Sequence, residues 1–133
     1  MITAVDTSVL IAIYRGEPEG HRWAERLADC RADGGLCVGE IVAAEFFASV
    51  MDEREYAFIF QQLGLELRPS NLAVARQAGR IFRRYRDEGG PRLHLIPDFL
   101  IAAHAQIRAD RLATLDRGYL RRYFADLSLV TLS

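Results

Sequence analysis

The sequence predicts an α/β fold, a parallel sheet covered by helices on both faces. Three observations carry this. Short apolar runs of strand length alternate with longer stretches of helical period along the whole chain. Gly and Pro punctuate the junctions, as in Arg15-Gly16-Glu17-Pro18, Asp33-Gly34-Gly35 and Gly89-Gly90-Pro91. Finally, 133 residues, half of them hydrophobic, suffice for one compact core and leave no room for two domains.

Taken in order, residues 2–5 form a buried strand ending at Asp6, and Thr7-Ser8 open a short apolar helix to about Tyr14. Residues 18 or 19 to 31 form a second helix, with Trp23, Leu27 and Cys30 on one face. Residues 36–38 are a short strand, and Gly39 stands as N-cap of a helix over 40–51. A helix over 53–63 stops at Gly64, and 65–67 is a weak strand. Ser70 is expected to cap a long helix to about Glu88. Pro97 suits a helix start, and that helix runs to about Ala109. Residues 112–115 form a strand, 117–123 a short helix and 127–132 a final strand. The resulting order is β-α-α-β-α-α-β-α-α-β-α-β. Sites in such sheets lie beyond the carboxyl ends of the strands, which places Asp6 and Asp116 on that edge and Asp98 at a helix start beside it.

Composition excludes several classes. The formal net charge of −1 and 26% charged residues describe a soluble surface, not one coated with positive charge. All 17 basic residues are Arg, so any chemistry needing a Lys, such as a Schiff base or a P-loop, is excluded. Cys30 and Cys37 form no CxxC or His-paired pattern and read as buried thiols in a reducing compartment. No signal peptide and no apolar run long enough to span a bilayer is visible, so the expected location is the cytoplasm, with no membrane partner.

Four carboxylates are the candidate chemistry: Asp6, Glu45, Asp98 and Asp116. Asp6, Asp98 and Asp116 each stand where an acid also caps or begins a helix. Glu45 lies in Ile41-Val42-Ala43-Ala44-Glu45-Phe46-Phe47-Ala48, whose apolar residues cover most of the helix circumference. Glu45 is therefore expected to be short of a polar face, with a narrow stripe beside Ser49 and Asp52 as the alternative. Acids gathered at one sheet edge repel one another unless a divalent cation binds them. With no His/Cys set nearby, hard oxygen ligands favour Mg²⁺ or Mn²⁺. Ions so bound commonly serve phosphoryl chemistry.

These residues resemble the PIN domain, and within it the VapC-type toxins of toxin–antitoxin pairs. The resemblance lies in Val5-Asp6-Thr7-Ser8-Val9-Leu10, in Val38-Gly39-Glu40-Ile41-Val42-Ala43-Ala44-Glu45-Phe46, in Pro97-Asp98-Phe99-Leu100-Ile101-Ala102-Ala103-His104-Ala105, and in Ala113-Thr114-Leu115-Asp116-Arg117-Gly118-Tyr119 through Tyr123-Phe124. It covers essentially the whole chain, 1–133, as one PIN domain. It implies an α/β/α sandwich with about five parallel strands and Mg²⁺- or Mn²⁺-dependent endonucleolytic cleavage of RNA, leaving 5′-phosphate and 3′-hydroxyl ends. It maps the metal-binding acids onto Asp6, Glu45, Asp98 and Asp116, with Ser8 and Thr114 as polar support. It also implies a homodimer and a small VapB-type antitoxin. Three positions depart from the family pattern. Gly39 stands where many relatives have Ser, Leu115 where a polar or basic residue is common, and His104 where Thr or Ala is commoner.

Arg76, Arg80, Arg83 and Arg84 fall on one face of their helix, opposite Val74, Ala78, Ile81, Phe82 and Tyr85. This stripe reads as a solvated face, or as a strip contacting RNA phosphates or antitoxin. Arg15 and Arg117 are expected nearer the acids, with Arg121 and Arg122. His21, His94 and His104 form no ligand pattern, and His104 reads as a core histidine. Phe46, Phe47, Phe58 and Phe60 read as core or dimer contacts. The resulting expectation is a metal-dependent endoribonuclease. The alternative is a non-catalytic module of the same fold that binds RNA or protein. A receiver domain would need a Lys, and a haloacid-type phosphatase would need Asp-x-Asp where Asp6 is followed by Thr7-Ser8.

Overall fold

The computed structural model describes residues 1–50, 52–116 and 118–132. The elements are β1 (Thr3–Val5), α1 (Thr7–Tyr14), α2 (Gly20–Ala32), β2 (Leu36–Val38), α3 (Glu40–Ser49), α4 (Glu53–Leu63), β3 (Leu65–Leu67), α5 (Leu72–Asp87), α6 (Ile96–Arg108), β4 (Arg111–Ala113), α7 (Gly118–Tyr123) and β5 (Ser128–Val130). The order agrees with the sequence reading element for element. All five strands are parallel, in the order β3-β2-β1-β4-β5.

The first strand is central and buried on both faces. Thr3, Ala4 and Val5 are all buried, and Ala4 pairs with Cys37 on one side and Leu112 on the other. Val9, Leu10, Trp23, Leu27, Phe46, Phe99, Leu120 and Phe124 complete the core against the sheet. Cys30 and Cys37 are buried free thiols, as expected. Among the described residues no helix is long and apolar enough to cross a membrane.

Several boundaries differ from expectation, and the final strand spans Ser128–Val130 rather than 127–132. The cap of α5 is Asn71, whose Oδ1 accepts the Val74 N–H at 3.0 Å. Ser70 instead gives its own N–H to the Glu40 carboxylate at 3.1 Å. The fourth strand ends at Ala113 rather than Leu115, because the Thr114 hydroxyl accepts the Asp116 N–H at 3.1 Å and turns the chain out of the sheet. The helix expected over 40–51 ends at Ser49, and Met51 lies outside the described residues. Gly64 ends α4 at φ 70°, a left-handed backbone that suits glycine.

Candidate active site

The site grows out of the register between β1 and β4. Val5 pairs with Ala113, and the Asp6 N–H donates to the Ala113 carbonyl at 2.9 Å. Asp6 and Thr114 therefore leave the carboxyl edge of the sheet side by side. Asp6 holds the N-cap position of α1 but makes no side-chain cap bond. Its Oδ2 accepts instead from the Ser8 hydroxyl at 2.7 Å and the Thr114 hydroxyl at 2.8 Å. Burial pushes the Asp6 carboxyl above its ordinary range, the two hydroxyls pull against that, and the Asp98 charge adds to it.

Asp98 sits in the first turn of α6, where its Oδ2 accepts the Leu95 N–H at 3.3 Å. The capping role is thus real for this acid. The same oxygen lies 3.3 Å from His94 Nδ1, and the Asp116 Oδ2 lies 3.7 Å from that nitrogen. Glu45 projects from α3 and accepts the Thr7 hydroxyl at 2.7 Å, which links α3 to the start of α1.

Glu45 corrects the expectation of a carboxylate short of a polar face. It is exposed, because Ala44, Phe47 and Ala48 beside it are exposed too, and only Val42 and Phe46 of α3 are buried. Composition showed a helix apolar all round, but only one side of it is covered.

The four acids act electrostatically on one group, the Tyr119 phenol. It is pushed far up, first by burial and then by Asp98, Asp6, Asp116 and Glu45 in turn. The hydroxyl stays protonated and donates to the Asp98 main-chain carbonyl at 3.4 Å. The charges of all four carboxylates thus act in one direction on this half-buried phenol. Yet among the described residues no three His, Cys, Asp or Glu side chains gather closely enough to hold a metal ion. Each carboxylate is turned toward a neighbouring donor: Asp6 toward Ser8 and Thr114, Glu45 toward Thr7, Asp98 and Asp116 toward His94.

Tyr119 and His94 were missed by sequence reasoning. Their rings stack at 3.9 Å and 27°, across a gap of 25 positions that leaves no periodic trace. The one local signal was that His94 stands four residues before Asp98.

The arginines are more dispersed than expected. Arg15 caps the far end of α1, eight residues and so about 12 Å along the helix from the acid edge. Arg76, Arg80, Arg83 and Arg84 are all exposed, opposite buried Val74, Ala78, Ile81 and Tyr85. Arg80 bonds Gln77, which bonds Gln106 at 3.1 Å near the C-terminal end of α6, away from Asp98. Arg84 lies over the Tyr123 ring at 4.9 Å and 3.7 Å from Glu88. With Arg122 and Asp126, Arg80 and Arg84 line an open groove of about 440 Å³. Arg117 lies outside the described residues. His104 is buried, as expected of a core histidine. Phe46 is core and Phe60 packs against it, whereas Phe47 and Phe58 are exposed.

Comparison with known proteins agrees with this architecture. The PIN domain family profile matches residues 3–125. Ribonuclease VapC10 of Mycobacterium tuberculosis, in strains CDC 1551 / Oshkosh and ATCC 25618 / H37Rv, is 35% identical over 113 residues, spanning 84% of this chain and 80% of the relative. Among solved structures, VapBC2 from Rickettsia felis bound to a DNA fragment from their promoter aligns with a TM-score of 0.68 at 19% identity, over 100% of both chains. VapBC-1 from nontypeable Haemophilus influenzae gives 0.69 at 19% identity, over 98% of this chain and 97% of the other. FitAcB from Neisseria gonorrhoeae gives 0.65 at 22% identity, over 98% and 97%.

Proposed function

The chain belongs to the PIN domain family, and from that premise we propose that it is an endoribonuclease, the toxin of a VapBC-type toxin–antitoxin pair. The observation that carries the reading is Asp6 at the carboxyl edge of the sheet, its Oδ2 held by the Ser8 and Thr114 hydroxyls, with Asp98 and Asp116 Oδ2 at 3.3 and 3.7 Å from one His94 nitrogen. The field of these acids opposes an RNA phosphate unless a cation neutralises it.

The donor set fits Mg²⁺ or Mn²⁺: hard carboxylate oxygens, with hydroxyls rather than thiols around them. Asp6, Glu45, Asp98 and Asp116 would hold the ion, which when bound supplies charge neutralisation at the phosphate and an activated water. The chain's own residues set the rest. Ser8 and Thr114 fix one oxygen of Asp6, Thr7 aims Glu45, and Tyr119 stays neutral beneath them.

The partners proposed are an RNA substrate, a VapB-type antitoxin and a second copy of the chain, in the cytoplasm. The antitoxin rests on the VapBC complexes among the structural relatives. A purely binding module of the same fold is disfavoured because all four acids are present. The test is cleavage of single-stranded RNA by the purified chain, free of antitoxin, with Mg²⁺. Cleavage by the wild type and its loss in a folded Asp6→Asn variant are expected, and full activity in that variant would overturn the site.

A further inference from the structure

We infer that His94 is a positioning residue that holds the carboxylates of Asp98 and Asp116 as a pair. The inference rests on the metal-dependent reading above. The two acids come from different elements, the first turn of α6 and the turn after β4, and their mutual repulsion would drive them apart. One atom opposes this. The His94 Nδ1 lies 3.3 Å from Asp98 Oδ2 and 3.7 Å from Asp116 Oδ2. Carboxylates only accept, so Nδ1 is the nitrogen that carries the proton.

The ring is braced to keep that nitrogen in place. Its plane stacks on Tyr119 at 3.9 Å and 27°, and Tyr85 meets it edge-on at 6.2 Å and 72°. Tyr119 in turn donates to the Asp98 carbonyl at 3.4 Å. The side chain is only 19% exposed, less than either acid it serves, so neighbours rather than solvent set its orientation. A histidine on a mobile loop could not bridge two carboxylates, but one clamped between two tyrosines can. This is the arrangement by which residues behind metal ligands raise affinity, through orientation rather than contact.

Two substitutions separate the donor from the brace. His94→Phe keeps the stack on Tyr119 and removes the N–H. His94→Asn restores a donor near the Nδ1 position and gives up the ring. Mn²⁺ affinity is read by electron paramagnetic resonance of the free ion, on full-length wild type and variants with unchanged circular dichroism. RNA cleavage is followed beside it as separate kcat and KM. His94→Phe should weaken Mn²⁺ binding about tenfold or more and lower kcat with KM unchanged. His94→Asn should recover most of the affinity. Wild-type Mn²⁺ affinity in His94→Phe overturns the inference, and so does equal loss in both variants, which would assign the effect to packing. Absence of Mn²⁺ binding by the wild type overturns the metal reading and this inference together, an outcome distinct from either of those.

Discussion

The imidazole of His104 fills the space in which a side chain at position 39 would begin. A Cβ built on Gly39 would lie 3.0 Å from the ring Cδ2 and 3.1 Å from Nε2. The ring itself is fixed, buried in α6 with Nε2 2.6 Å from the Arg68 carbonyl. A side chain at 39 would have to push the His104 ring aside by a few tenths of an ångström, and with Gly39 there the helix carrying Glu45 goes without a side-chain cap.

Gly39→Ser should therefore destabilise the protein even though Ser is the better N-cap. Capping favours Ser over Gly by only a few tenths of a kcal/mol, whereas overpacking a filled core costs about 1–3 kcal/mol. In a His104→Ala background the crowding is gone and the same substitution should become neutral or slightly stabilising. Urea unfolding of the four proteins measures a coupling of about 1–2 kcal/mol. Additive effects would show that the ring yields freely.

His104 also sets a pH dependence. Burial lowers its pKa below the ordinary 6.5, against the opposing pull of the Arg68 carbonyl and Glu40. The unfolded chain then takes up a proton before the folded one does. The sign follows: the stability this residue contributes is present in full above about pH 6.5 and is lost as pH falls through its depressed folded value. His104→Gln can keep a donor toward Arg68 without the titration. Urea midpoints between pH 8 and 5 should fall more steeply for the wild type than for this variant. Parallel curves would mean that His104 protonates as easily folded as unfolded.

The order of elements was legible because it is written locally, in apolar runs separated by Gly and Pro. The placing of Asp6 and Asp116 on one edge was legible too, since parallel strands put their following residues on the same side of the sheet. What escaped was non-local. Ser70 and Asn71 are adjacent and chemically alike as caps, and the choice between them depends on Glu40, thirty residues away. Periodicity counted the apolar residues around Glu45 but could not say that Phe47 lies uncovered. His94 and Tyr119 carry no motif, and only the tertiary stack joins them to the acids.

Asp6→Asn should make the folded protein more stable at pH 7 while abolishing cleavage. Burial raises the Asp6 pKa above its unfolded value, so the folded state binds its proton more readily and loses stability as pH rises through that range. At neutral pH the ionised carboxylate is a net cost, and an amide of the same shape still accepts from Ser8 and Thr114. A gain of about 1 kcal/mol, a few degrees in Tm, is expected in the presence of a chelator. Added Mn²⁺ should raise the Tm of the wild type and leave the variant unmoved. A lower Tm in Asp6→Asn would show that the hydroxyl bonds outweigh burial.

Thr114→Val tests the same balance from the other side. Valine matches the shape of threonine and removes both the donor to Asp6 Oδ2 and the acceptor of the Asp116 N–H. Losing a hydrogen bond to a charged group costs about 1.5–3 kcal/mol, and the stranded Asp116 amide adds to this unless water reaches it. The bond favours the ionised carboxylate, so without it the Asp6 pKa rises further. If cleavage needs Asp6 ionised, the acid limb of the pH–rate profile should move to higher pH in Thr114→Val. Thr114→Ser, which keeps the hydroxyl and loses only a methyl, should leave that limb in place. An acid limb identical in wild type and Thr114→Val would mean that the ionisation controlling cleavage is not that of Asp6.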